Sequence, residues 1–237
     1  MSKATVLVPA AGAGKRMGKT VAKQFLPLGD MPLLAYALLA FQRAAEIDEI
    51  IPIVSNEDIE SCLDAIIEQY HITKVRTLVA GGRERQDSVA NGLQKLGKET
   101  SLVLVHDGVR PFVTPAMISA CVEHARKGEC VTVGVPIKDT IKDVTAEGIV
   151  RKTLERSSLW AVQTPQAFPV DTLRHAYDEA RKKRWYGTDD AMLVERTGVS
   201  VRMIMGSYEN IKITTPEDLL LAEEILKRQC NAHRNRV

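Results

Sequence analysis

Short β-branched runs alternate with amphipathic helical segments along most of this chain, and no other feature restricts its fold as strongly. A strand followed by a helix that packs back onto the sheet builds a mostly parallel sheet covered by helices, so the fold class is α/β. Strand candidates are Thr5–Pro9, Glu49–Val54, Val75–Val79, Leu102–His106, Val131–Pro136 and Ser200–Met205. Asp58–Tyr70 carries Ile59, Cys62, Leu63, Ile66, Ile67 and Tyr70 at helical spacing behind Asn56, a candidate N-cap, and the stripe reads as core. Thr114-Pro115 opens another helix in the order cap, then proline, turning Ile118, Cys121, Val122 and Ala125 inward. Further helical patterns cover Asp171–Lys183, Asp189–Arg196 and Pro216–Gln229, and the polar tail 231–237 is expected to fray. Ligands of such open sheets bind beyond the carboxyl ends of the strands, which directs attention to the loops after Pro9, Val79 and His106.

One segment breaks the rhythm. Lys138–Gln163 holds two β-like runs, Thr140–Val144 and Ile149–Leu154, joined by a turn at Ala146-Glu147-Gly148, and reads as a protruding β-hairpin arm over 138–163. A lone hairpin is marginal in water, so the arm needs a surface to pack on, and a second subunit is the natural candidate. The rest of 1–237 reads as a single domain.

Composition narrows the partners. Of 237 residues, 45% are apolar and 26% charged, which is ordinary for a globular protein. The 32 basic residues balance 30 acidic ones to +2, so no global field would hold nucleic acid or an anionic membrane, and an anionic ligand must find a local cluster. Cys62, Cys121, Cys130 and Cys230 show no C-x-x-C spacing and read as buried thiols of a reducing compartment. The N-terminus shows no signal-peptide pattern, so the expected location is cytoplasmic.

The local clusters sit on the expected loops. In PAAGAGKRM the run Ala11-Gly12-Ala13-Gly14-Lys15 can present backbone N–H groups to an anion, with Lys15, Arg16 and Lys23 adding charge, which suits a polyphosphate. It is not a Walker A loop, because Pro9 stands at the first glycine position and Arg16 follows Lys15; Met17 likewise spoils a dinucleotide fingerprint. In AGGRERQDSV, Gly81-Gly82 permits close approach of a flat ligand such as a base, and Ser88 supplies a hydroxyl. In VHDGVRP, Asp107 is placed to hold a divalent cation between phosphates and Arg110 to pair with a carboxylate or phosphate. Lys212 precedes the helix opened by Thr215-Pro216-Glu217, and Gln163, Thr164, Thr188 and Asp189 are further polar positions.

Taken together, PAAGAGKRM with AKQFL, GGRERQDSV, VHDGVRP, KDTIK, LERSSLWAVQTPQ and NIKITTPEDL match a known family in order and spacing. From about Lys3 to Leu226 the chain resembles the 2-C-methyl-D-erythritol 4-phosphate cytidylyltransferases of the non-mevalonate isoprenoid pathway. The resemblance implies a Rossmann-like nucleotidyltransferase fold, a homodimer, CTP as donor, methylerythritol phosphate as acceptor, and Mg²⁺ or another divalent cation. It also implies residue roles. Arg16 and Lys23 would bind the triphosphate and stabilise the transition state, and Lys212 would contact the α-phosphate. Gly82 and Ser88 would meet cytosine and ribose, and Asp107 the ribose, the metal or both, with Gly108 beside it. Arg110, Thr164, Thr188 and Asp189 would face the acceptor, which Thr140 and Arg156 would grip from the opposite subunit's arm. Ala22 replaces a proline often found before the lysine, and Gly108-Val109 replaces a pair of alanines. A cytidylyltransferase for ribitol 5-phosphate or another polyol phosphate, a non-catalytic nucleotide-binding protein and a dinucleotide-dependent dehydrogenase are the alternative readings.

Overall fold

The structure, a computed structural model, describes residues 3–12 and 22–234. Strand β1 (Lys3–Pro9) is the axis of the molecule, and its side chains alternate between two cores: Ala4, Val6 and Val8 pack on one face and Leu7 on the other. Such two-sided burial is the mark of a parallel strand covered by helices. A small ribbon, β2 (Pro27–Leu28) with β3 (Met31–Pro32), leads to α1 (Leu33–Arg43) and β4 (Glu49–Val54). A helical stretch containing α2 (Ile59–Cys62), the short β5 (Val79–Ala80), α3 (Arg85–Leu93), β6 (Thr100–Val105), α4 (Pro115–Arg126) and β7 (Cys130–Pro136) follow. Next come the hairpin β8 (Lys142–Val144) with β9 (Val150–Thr153), then β10 (Trp160–Pro169) and α5 (Val170–Lys183). The chain closes with α6 (Asp190–Glu195), β11 (Val201–Met205) and α7 (Pro216–Arg234).

Seven strands form one sheet in the order β11-β7-β10-β6-β1-β4-β5. Residues of α1, α2 and α4 fill one face, including Leu38, Cys62 and Ile118, while α3, α5 and α6 fill the other with Val89, Leu173 and Val194. Every pairing is parallel except those of β10, which runs antiparallel to β6 and β7. The hairpin explains the reversal. The chain leaves the sheet along β7, travels through 137–159, and returns beside the strand it left, where an adjacent returning strand must run antiparallel. Trp160 pairs with Pro136, so the root of the arm is β7 with β10, and Trp160–Gln163 belongs to the sheet rather than to the hairpin.

Several sequence expectations shift. Thr114 caps α4 by accepting from Met117 N at 3.3 Å, as read. The segment Val75–Val79 forms a strand only at its end, with Val75 making an isolated bridge to Ile50; β5 is a two-residue sheet edge, and short edges resist mispairing. Asp58–Tyr70 is not a uniform α-helix but a 3₁₀ turn, α2 and a π-turn over Leu63–Glu68, and Asn56 lies inside the 3₁₀ turn behind Ser55 instead of capping. Cys62, Ile66 and Ile67 are buried there, whereas Leu63 is exposed. The last helix continues through Arg234, past Gln229 and into the expected tail. Cys62, Cys121 and Cys130 are buried free thiols, but Cys230 is exposed. Burial pushes the Cys62 and Cys121 thiols up to about 12, so both are unreactive at neutral pH.

Candidate active site

At the carboxyl ends of β1, β5 and β6 a cavity of about 250 Å³ is lined by Ala11, Gly12, Lys23, Gly82, Ser88 and Asp107, among others. Ala13, Gly14, Lys15 and Arg16 lie outside the described residues. One wall is the start of α3, where Glu84 N donates to Asp87 Oδ2 at 3.0 Å in a reciprocal capping box. Ser88 Oγ donates to Glu84 O at 3.1 Å and accepts from Gly82 N at 3.0 Å, which fixes the glycine turn against the helix. A Cβ on Gly81 would collide with the Ala11 Cβ and reach Ser88 Oγ at 3.0 Å, so two loops of the cavity meet there with no room for a side chain. Gly81→Ala is therefore expected to separate them and destabilise the fold by about 1–3 kcal/mol, measured by urea unfolding. Gly108 is packed behind the cavity instead of lining it: a Cβ would meet Leu34 Cδ1 at 2.8 Å, and its N donates to Pro9 O at 3.1 Å.

The loop after β6 places Asp107 at the focus of three cations. Arg85 Nε lies 3.0 Å from Oδ1, Lys212 Nζ 2.8 Å from Oδ2, and Arg110 Nε 3.7 Å from Oδ2. Burial pushes this carboxyl up, but Arg85, Lys212 and Arg110 overcome it and hold it far below the ordinary carboxylate range. Arg85 is shared: its Nη2 also pairs with the buried Asp190 Oδ2 at 2.9 Å. Burial opposes the Arg85 charge, Asp190 and Asp107 more than offset it, and the guanidinium is held more firmly protonated than usual. Arg110 is itself buried, donating Nη1 to Asn210 O at 2.7 Å, and its Nε has no hydrogen-bond partner among the described residues. That Nε faces Asp107 Oδ2 beyond hydrogen-bond reach, so its charge is balanced while its donor stays open to a second acceptor.

A second cavity, also about 250 Å³, opens on the other side of this cluster and is lined by Arg110, Thr164, Thr188 and Asp189 together with Gln163 and Gln166. Gln163, Thr164 and Gln166 come from β10, whose register breaks between Val162 and Gln166, and a bulge beside a site re-aims side chains. Arg110 comes from the loop after β6, and Thr188 and Asp189 from the start of α6. Asp189 caps α6 through Met192 N at 2.9 Å and accepts from Gln166 Nε2 at 2.7 Å. Thr140 and Arg156 line neither cavity of their own chain; Arg156 is exposed on the arm and donates to Lys138 O at 2.6 Å.

Behind the acid, His106 is fully buried and wired at both nitrogens. Its Nε2 lies 3.0 Å from Arg110 O, a carbonyl that can only accept, so Nε2 carries the proton. Nδ1 then accepts from the Thr164 hydroxyl at 3.0 Å, and Thr164 Oγ1 accepts from Asp107 N at 3.1 Å. Burial holds this imidazole down at about 4, so it is neutral at pH 7, and through Thr164 it orders the Asp107 backbone. The unfolded chain takes this proton near the ordinary value of about 6.5 and the folded one only near 4. Stability is therefore lost as pH falls through that window, by at most about 1.4 kcal/mol per pH unit from this residue. Urea unfolding of His106→Gln is expected to lack that component of the slope.

A family model described as IspD, 2-C-methyl-D-erythritol 4-phosphate cytidylyltransferase, matches residues 4–228. The chain belongs to this family. A relative of that name from Alkaliphilus metalliredigens is 49% identical over 228 residues, covering 96% of this chain and 95% of its own. Another of that name from Syntrophotalea carbinolica is 51% identical over 222 residues, covering 93% and 95%. Among solved structures, the 4-diphosphocytidyl-2C-methyl-D-erythritol synthase of Anaerococcus prevotii superposes with a TM-score of 0.85 at 32% identity, covering 95% of this chain and 96% of that one.

For a cytidylyltransferase of this family, the residues that sequence reasoning passed over are Arg85 and Gln166. Arg85 is the first residue of α3, where the positive end of the helix dipole disfavours a cation, and that misplacement was the available signal that a carboxylate waits nearby. Gln166 bonds Thr132 and Asp189 through Nε2 and accepts from Asp190 N and Ala191 N, satisfying the start of α6. It carried no sequence signal. Among the described residues, no group of three His, Cys, Asp or Glu side chains could hold a metal on its own. Mg²⁺ is commonly held by one or two carboxylates with water and substrate phosphate, and Asp107, the carboxylate that lines both cavities, fits such an ion once the ion replaces Arg85 or Lys212 at one of the two oxygens. No helix of the described residues is long and apolar enough to cross a membrane.

Proposed function

We propose that the chain transfers CMP from CTP to 2-C-methyl-D-erythritol 4-phosphate, releasing pyrophosphate and giving 4-diphosphocytidyl-2-C-methyl-D-erythritol. One observation carries the assignment of the site: the two cavities share Arg85, Asp107 and Lys212 and no other residue. Two anionic substrates that react with each other must meet at such a junction. An oxygen of the acceptor phosphate bonds to the α-phosphorus in line as the bond from that phosphorus to the pyrophosphate oxygen breaks. Two unit charges 4 Å apart repel by about 4 kcal/mol at an effective dielectric of 20, so cations must flank the reacting centre. Arg16 and Lys23 hold the triphosphate, Lys212 the α-phosphate, and Arg85 and Arg110 the acceptor side. The phosphate nucleophile is already ionised, so positioning and charge stabilisation suffice without a general base. Asp107 would hold a divalent cation, which would supply further neutralisation of phosphate charge when bound.

Gly82 and Ser88 face the cytosine and ribose, and Thr164, Thr188 and Asp189 the acceptor. The arm, with Ile149 and Val150 exposed, packs on a second copy of this chain and delivers Thr140 and Arg156 to that copy's acceptor cavity. We place this single-domain enzyme in the cytoplasm, a reading supported by its free thiols. Pyrophosphate release with each nucleoside triphosphate, against methylerythritol phosphate and ribitol 5-phosphate, tests the assignment; turnover is expected only with CTP and the first acceptor, and preference for ribitol phosphate would overturn it. The arm has its own test. Arg156→Ala and Lys23→Ala homodimers are each expected to be nearly inactive, while mixing them restores activity because some heterodimers keep one complete site. Mixed dimers that form without rescue would show that Arg156 acts within its own chain.

A further inference from the structure

A cavity of about 560 Å³ lies between α3 and α5 and shares no lining residue with either substrate cavity. Its size is that of a small-molecule site. Ala90 and Leu93 of α3 and Trp185 supply an apolar lining, and Arg174 and Arg184 bring two guanidinium groups without an ion pair among the described residues. The two carboxylates that also line it are engaged, Asp87 in the α3 capping box and Asp178 with Arg181. Among the described residues Arg174 donates to Leu96 O alone, at 3.4 Å. Arg184 closes α5 with φ at 55°, a conformation that side chains seldom adopt and that seats it at the cavity. Flat apolar surface flanked by guanidinium groups with open donors recognises an aromatic or otherwise planar apolar body carrying a carboxylate, sulfonate or phosphate.

The cavity is also joined to the junction residues. Tyr177, one of its buried lining residues, donates its hydroxyl to Asp190 Oδ1 at 2.5 Å. Asp190 Oδ2 pairs with Arg85 Nη2 at 2.9 Å, and Arg85 Nε with Asp107 Oδ1 at 3.0 Å. A second tie runs through Gln86, which donates to Trp185 O at 3.0 Å and accepts from Gly187 N at 3.0 Å, one residue before Thr188 of the acceptor cavity. We propose that this cavity is a second ligand site, taking a small planar anion, whose occupant alters the transfer reaction through Tyr177, Asp190 and Arg85. A shift of the Tyr177 hydroxyl changes what Asp190 offers Arg85, and Arg85 sits where both substrates meet.

Trp160→Phe leaves Trp185 as the sole tryptophan of the two in the chain, so binding can be read beside the cavity without reference to any reaction. The probe is 8-anilino-1-naphthalenesulfonate, a planar aromatic sulfonate. Quenching of Trp185 is expected to saturate at one site per chain, to persist in excess CTP, and to weaken by about tenfold or more in Arg174→Ala/Arg184→Ala, whose exchanges lie outside the substrate cavities. Saturating probe is expected to change kcat by about fivefold, and Tyr177→Phe to bind the probe normally while losing that response. Equal binding by the double variant, or displacement by CTP, overturns the site. Normal binding with unchanged kcat, or an unchanged response in Tyr177→Phe, overturns the coupling.

Discussion

Asp107→Asn is expected to lower turnover by at least about 100-fold and to destabilise the fold by about 3 kcal/mol. The exchange keeps side-chain size, so no cavity forms, and what disappears is the charge that balances Arg85, Lys212 and Arg110. Breaking a buried ion pair by removing one partner costs about 3–5 kcal/mol, because the other charge is left uncompensated. The lower end applies here. Lys212 is partly exposed and can turn to solvent, and Arg85 keeps Asp190, so Arg110 is the cation left stranded. The pH dependence identifies the cause. A carboxyl held far below its ordinary value contributes stability that is present above about 3.8 and lost as pH falls further. The difference between parent and Asp107→Asn in urea unfolding should therefore stay level from pH 8 to 5 and shrink only in stronger acid, below the window assigned to His106. A variant as stable as the parent would show that Asp107 does not hold the cluster together.

How far these features could be read beforehand depends on the physics of each. The parallel strands were legible because burial on both faces writes a continuous apolar run, as in Val103–Val105 with Leu102 and Leu104. Strand β10 was not, because Gln163, Thr164 and Gln166 are polar yet buried, and Pro165 and Pro169 argue against an interior strand. Those residues violate strand patterning because they line the second cavity, and Gln166 satisfies the start of α6. Helix α1, LLAYALLAFQR, is buried on nearly every side and begins behind Pro32 with no side-chain cap, so neither a period nor a start signal marked it. The charged positions Lys23, Asp107, Arg110 and Lys212 were found from loop position and family resemblance, and the structure brings all four to the two cavities. What no pattern conveyed is the sharing: Arg85 between Asp107 and Asp190, and Asp107 among three cations, are contacts between segments far apart in sequence.

Lys212→Ala is expected to reduce kcat by about 3 to 4 kcal/mol, several hundred-fold, with little loss of stability. Its backbone is fixed independently of its charge, since Ile213 is fully buried with its N donating to Val109 O at 3.0 Å, and Asn210 is buried with Nδ2 donating to Thr164 O at 2.9 Å. The ammonium group, by contrast, is partly solvated, and the buried Asp107 carboxylate keeps Arg85 and Arg110 when Lys212 is removed, so this half-exposed partner contributes only about 1 kcal/mol to folding. Stability and catalysis therefore separate at this residue, unlike at Asp107. Lys212 lines both cavities, so in the proposed reaction its charge would face the place where negative charge concentrates. A contact strengthened only in the transition state appears in kcat and leaves the KM for CTP almost unchanged. Steady-state pyrophosphate release distinguishes the cases: a raised KM at parental kcat would make Lys212 a binding residue for the triphosphate and remove it from the reacting centre. Lys212→Arg is expected to recover only part of the rate, because a planar guanidinium cannot replace a compact ammonium 2.8 Å from Asp107 Oδ2 without displacing it.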